Sequence, residues 1–151
     1  MSLEWFCKRF CKCTGTKLSP PRFLEDIDFN EVTTLLKSIA PDAARVLVDA
    51  DYKTTTVTEF KRFIKHNKVD MEQYVSEYFD CDDFSFALKG AISNPDWGAL
   101  TFGIVFAYPP RGGAHALNFF IDNEGIFWLV EPQTDKVFKP TDKWKIYYLM
   151  M

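Results

Sequence analysis

The stretch that decides the fold is residues 112–134, GGAHALNFFIDNEGIFWLVEPQT. Two β-forming apolar runs, AHALNFFI and IFWLVE, flank the polar tip Asn123-Glu124-Gly125, which is the pattern of a β-hairpin. His115 stands near the start of the first arm and Glu131 near the end of the second, polar groups that a core strand does not need. The turn decides how they relate. A two-residue loop at Asn123-Glu124 sets His115 and Glu131 on opposite faces. A three-residue loop, with Gly125 in the left-handed region and a bulge, shifts the pairing by one residue. Glu131 then faces Leu117, and Gln133 falls opposite His115. Diagonal neighbours on one face lie about 7–8 Å apart, within reach of long side chains. Gly125 suits the bulged register.

Outward from the hairpin, ALTFGIVFAY reads as a strand closed by Pro109-Pro110, and KVFKP and KWKIYYLMM as further strands. The chain before Gly98 is helical in pattern. Asp28 with Glu31 is a capping box that opens a helix buried through Val32, Leu35, Leu36 and Ile39, and Pro41 stops it. ARVLVDADYKTTT holds a short apolar run, a candidate strand, before a polar turn. Thr56 with Glu59 opens a second helix that presents Phe60, Phe63 and Ile64 inward. His66 ends that helix, where a cation complements the dipole, and is read as a surface residue. Two helical pieces are expected between residues 70 and 96. In the second, Asp80 caps with Asp83, Cys81 sits in the first turn, and Phe84, Leu88 and Ala91 or Ile92 form the buried stripe. Helices followed by antiparallel strands predict an α+β fold with the helices packed on one side of the sheet.

At 151 residues, 47% hydrophobic with 15 Phe, the chain is sized for one domain with a substantial core. A net charge of −3 offers no overall basic field for nucleic acid. No stretch approaches the about 20 apolar residues of a membrane span. The first segment, MSLEWFCKRFCKCTGTK, is broken by charges and does not read as a secretory signal. It carries Cys7, Cys11 and Cys13, which could be metal ligands, disulfide partners or lipidated thiols, but are read as reduced thiols in a terminal segment. Gly15, Ser19, Pro20 and Pro21 mark a linker, giving residues 1–21 as terminal segment and linker and 22–151 as the domain. Reduced thiols and the missing signal point to the cytoplasm.

Cys81 is the residue with chemical potential. At a helix N-terminus the unpaired N–H groups and the dipole favour a thiolate and can stabilise an oxyanion. Asp80, Asp82 and Asp83 oppose this, so a cation or an imidazolium is needed beside them. His115 is the candidate base and Glu131 the candidate orienter in a Cys-His-Glu set.

FDCDDFSFALKG, GGAHALNFFI and VEPQT, in that order, resemble the C-terminal domain of the mushroom agglutinins typified by the fairy-ring-mushroom lectin, and related bacterial and phage single-domain proteins. The resemblance covers roughly the last hundred residues. It implies a papain-like fold and a calcium-activated cysteine protease, with Cys81 as nucleophile, His115 as base and Glu131 as orienter. Gln133 matches a glutamine lining the site, and Asp82 an acidic position near calcium. Asp83 and Glu131 are further oxygen donors of the kind calcium prefers. Tyr74 stands where the family has a tryptophan near the oxyanion site, and GGAH replaces a commoner GH. The agglutinins join this domain to a sugar-binding β-trefoil, for which this chain has neither length nor repeats, so sugar binding is not carried over. The leading expectation is a cysteine hydrolase acting on a peptide or protein. The alternatives are a catalytically inactive interaction module on the same scaffold and an amidase- or transglutaminase-type acyl transferase.

Overall fold

A computed structural model describes residues 18–151, so the readings of Cys7, Cys11 and Cys13 lie outside the described residues. Local capping sets the helices. Asp28 Oδ1 accepts from the N–H groups of Asn30 and Glu31 at 2.7 and 2.9 Å, and Glu31 Oε2 accepts from Asp28 N–H at 3.0 Å. Helix α1 (Phe29–Ile39) therefore opens on the expected capping box. Helix α2 (Val57–His66) has half of one. Thr56 Oγ1 accepts from Glu59 N–H at 3.1 Å, while the Glu59 carboxylate turns to Arg62 and to Arg22 N–H. Arg62 also donates to Ser19 and Pro20, which fastens residues 19–22 along α2.

Helix α3 (Cys81–Ile92) begins at Cys81, as its sequence predicts, and buries Phe84, Ser85, Leu88 and Ile92. Asp83 Oδ2 accepts from Asp80 N–H at 3.1 Å. The helical piece expected before α3 is instead one 3-10 turn, Val69–Met71, followed by a tight reversal bridging Val75 to Phe79. Glu77 takes φ 64° at its apex, and Asp80 Oδ2 accepts from its N–H at 3.3 Å. A helix there would have had little to bury, since Tyr74, Val75 and Tyr78 are exposed.

Six strands form one sheet: β2 (Ala44–Val46), β8 (Lys145–Met150), β4 (Phe102–Tyr108), β5 (His115–Ile121), β6 (Phe127–Glu131) and β7 (Lys136–Phe138), in that spatial order. All neighbours are antiparallel except β2 and β8. The short strands β1 (Glu25–Asp28) and β3 (Asp51–Thr54) pair separately. The fold is α+β, but the helices are not confined to one face. Val105, Ala107, Leu117, Phe119, Leu129 and Leu149 pack with Val32 and Leu36 of α1. Phe102, Phe120 and Val130 on the other face pack with Phe60, Phe63 and Ile64 of α2 and Leu88 and Ile92 of α3. The cause lies in β4 and β5, which are apolar at nearly every position and need cover on both sides.

The hairpin adopts the bulged register. Asn118 pairs with Val130 and Ile121 with Phe127, Gly125 takes φ 72°, and its N–H donates to Asp122 O at 3.0 Å. One end of the sheet gathers the ends of β4 and β6 and the starts of β5, β7 and β8. The connecting segments 109–114, 132–135 and 139–144 meet there, and this end carries the candidate site.

Candidate functional site

The β5–β6 register, continued past its last ladder pair, sets Glu131 across from Leu117 and His115 across from Gln133. Both long side chains then lie on one face, and they meet: His115 Nε2 and Glu131 Oε2 are 2.7 Å apart, about a quarter exposed or less. Glu131 Oε1 accepts from Gln133 N–H at 3.3 Å, so both carboxylate oxygens are engaged and the imidazole is held at Nε2. The structure thus brings His115, Glu131 and Gln133 together, as the hairpin reading predicts.

Cys81 is placed differently. Alternation sets His115 with Leu117 and Phe119, on the α1 side, whereas α3 lies on the other side, where Asn118 Nδ2 donates to Ser85 O at 3.0 Å. Among the described residues, the half-buried Cys81 thiol makes no hydrogen bond to His115. Its surroundings are acidic and aromatic. Ligand atoms of Asp80, Cys81 and Asp82 lie within 4.8 Å of one another. A hydrogen bond shared by the two carboxyls holds Asp80 below the usual range and pushes Asp82 above it. Tyr74, half exposed, has its phenol pushed up by partial desolvation and then by the charges of Asp80, Cys81 and Glu77.

For calcium, Asp80 and Asp82 are suitable hard oxygen donors, while a thiol is not. Asp83, expected beside Asp82, spends an oxygen on the α3 cap, and Glu131 spends both on the hairpin. A cation at this position would be held by the carboxylate oxygens of Asp80 and Asp82.

Sequence reading missed Tyr108 and Tyr147. Strands β4 and β8 pair Phe106 with Tyr148 but Ala107 with Ile146, leaving Tyr147 as the extra residue of a bulge. Two consecutive rings therefore turn to one face: Phe106 lies 6.3 Å from Tyr147 and 5.7 Å from Tyr148 between centroids. Tyr147 stands 5.2 Å from Tyr108, and its phenol is pushed up by desolvation, then by Tyr108 and Cys81. The signal was present. Ile146 and Leu149 pack on the same core three residues apart, a spacing that regular alternation forbids.

Residues 52–137 match the family described as Agglutinin C-terminal, more than half of the chain. The chain belongs to the Agglutinin C-terminal family. No curated protein matches it. Among the solved structures that resemble this agglutinin domain, two are informative. One, titled "PSL1a-E64 complex", is 26% identical with a TM-score of 0.71, covering 83% of this chain and 50% of that one. The other is the Polyporus squamosus lectin bound to the human-type influenza-binding epitope Neu5Aca2-6Galb1-4GlcNAc. It is 24% identical with a TM-score of 0.68, covering 83% of this chain and 49% of that one. This chain therefore spans about half the length of the structures it matches.

These findings correct the functional expectation. The family is an agglutinin family and the matched fold is that of a lectin, so a cysteine hydrolase, and with it a thiol acyl transferase, is not supported as the reading of this chain. The matched Polyporus squamosus lectin is bound to a glycan epitope. The agglutinin resemblance stands, and no helix of the described residues is long and apolar enough to cross a membrane.

Proposed function

We propose that this agglutinin domain is a non-enzymatic binding module, and that its ligand is a glycan taken up at the loop end of the sheet. One observation carries the reading: Tyr108 and Tyr147, each more than two-fifths exposed, stand 5.2 Å apart at the loop end of the sheet, on the side of Cys81. Sugars are bound by pairing a ring's C–H face with an aromatic face while hydroxyls hydrogen-bond to carboxylate, imidazole and amide groups. Tyrosine supplies such area at small entropic cost. Tyr74 and the Asp80–Asp82 pair, on the Cys81 side, supply the directional bonds. The glycan in the Polyporus squamosus lectin is consistent with this choice. The sugar binding that sequence reading left with a missing trefoil is assigned here to this domain's own surface.

The scaffold we take to be papain-like, retained without hydrolytic chemistry, as folds persist when activities change. The roles of Cys81, His115 and Glu131 are then to shape and polarise the site. Calcium, where taken up, would be held by Asp80 and Asp82.

The test is a titration of the full chain with neutral and acidic oligosaccharides, followed by backbone NMR. Shifts confined to Tyr74, Asp80, Asp82, Tyr108 and Tyr147 with at least one glycan are expected, and Tyr147→Ala should weaken that binding about tenfold, the effect of one lost aromatic contact. Shifts elsewhere on the domain, or none with any glycan, would sink the proposal.

A further inference from the structure

We propose that the pocket between the C-terminal ends of α2 and α3 binds a small, neutral, mostly apolar molecule bearing a carbonyl, and that the Trp97 indole donates to that carbonyl. The pocket is a cavity of about 300 Å³ at the far end of α3 from Cys81, so it stands apart from the glycan surface. Such a volume lies at the small end of ligand sites. Leu18, Phe63, Ala91 and the Trp97 ring form its apolar walls. The cap that ends α3 brings them together. Asn94 Nδ2 donates to Ala91 O at 3.0 Å, and Asn94 Oδ1 accepts from the N–H groups of Asp96 and Trp97 at 3.0 and 3.1 Å. The turn so formed sets the Trp97 ring 5.1 Å from that of Phe63 on α2.

An unsatisfied donor selects the ligand. Trp97 is 2% exposed, and among the described residues its Nε1 has no hydrogen-bond partner. A buried N–H left unpaired is costly, and native folds rarely keep one without a reason. Neither neighbour of the ring can accept its proton: Arg62, 5.2 Å over the indole, only donates, and Phe63 is apolar. The side-chain oxygens of Asn67 and Asn94, which also line the pocket, accept from backbone N–H groups. A carbonyl oxygen carried in by a ligand would take the indole proton while the rest of that ligand covers the apolar walls. The surroundings set its charge. Asp96 lines the pocket and repels an anion, and the Arg62 guanidinium repels a cation, so a neutral molecule fits best. Exposed His66 borders the mouth.

The experiment titrates the full chain with acetophenone and with isopropylbenzene, its hydrocarbon counterpart, and follows the indole N–H resonances by NMR. Acetophenone should move the Trp97 indole proton downfield, as a new hydrogen bond does, and isopropylbenzene should not. Trp97→Phe identifies that resonance by deleting it, and should weaken acetophenone about tenfold relative to isopropylbenzene, the worth of one hydrogen bond. Ala91→Phe, on the exposed rim, should exclude both probes. An indole resonance that acetophenone leaves in place overturns the proposal, whether or not Trp97→Phe folds. So does a Trp97→Phe chain that loses both probes alike, or binding that survives in Ala91→Phe and therefore lies elsewhere.

Discussion

Asp135→Asn should stabilise the domain near neutral pH and leave it unchanged in acid. Asp135 turns the chain between β6 and β7 at φ 56°, with Oδ1 buried and without a partner. Its carboxyl is pushed up from 3.8 to about 6, first by desolvation, then by Asp70, against the pull of Lys68. The neutral form is therefore favoured in the fold. Between 3.8 and about 6 the folded chain keeps a proton that the unfolded chain has lost, so stability from this group falls as pH rises through that window. Above it the cost is constant. Two pKa units set a ceiling of about 3 kcal/mol, and solvent screening of a partly exposed turn reduces it to about 1–2 kcal/mol. Asparagine keeps the shape, tolerates the left-handed backbone and removes the charge. Thermal unfolding followed by circular dichroism should give a melting temperature about 3–6 °C above wild type near pH 7, and no gain near pH 4. A variant equal to wild type at both pH values, or less stable near neutrality, would mean that the carboxylate is held by a partner, and the reasoning would be refuted.

Other outcomes follow from contacts already described. A Cβ at Gly103 would lie 2.3 Å from Met150 O and 2.5 Å from the Phe119 ring, so Gly103→Ala should cost about 3 kcal/mol in urea unfolding. Gly125→Val should cost about 1–2 kcal/mol, because φ 72° is left-handed and a β-branched residue resists it; an unchanged midpoint would contradict the bulged turn. Glu131→Ala removes the 2.7 Å bond to His115 and should destabilise by about 1–2 kcal/mol while broadening the His115 ring resonances.

Much of this structure could be read from local chemistry. Gly125 announced the turn that aligns His115 with Glu131, and Asp28 with Glu31 announced α1, because both depend on residues a few positions apart. Non-local facts were harder. That α3 covers the face opposite His115 depends on how β4 and β5 are sandwiched, which no spacing within either strand records. The parallel pairing of Ala44–Val46 with β8 joins the two ends of the domain, and three residues are too few to show it. The reversal at Glu77 defeated a helical reading because the residues around it bury almost nothing. The tyrosine wall was legible only in hindsight, through the broken alternation of Ile146 and Leu149.

The most direct test of a binding module without thiol chemistry sets wild type beside Cys81→Ala. Each is titrated with sialyl-N-acetyllactosamine by calorimetry, and the sugar and a mixed peptide pool are then examined by mass spectrometry. Equal affinities, with sugar and peptides recovered intact from both proteins, are the expected result. Cleavage by the wild type that Cys81→Ala abolishes would contradict the account.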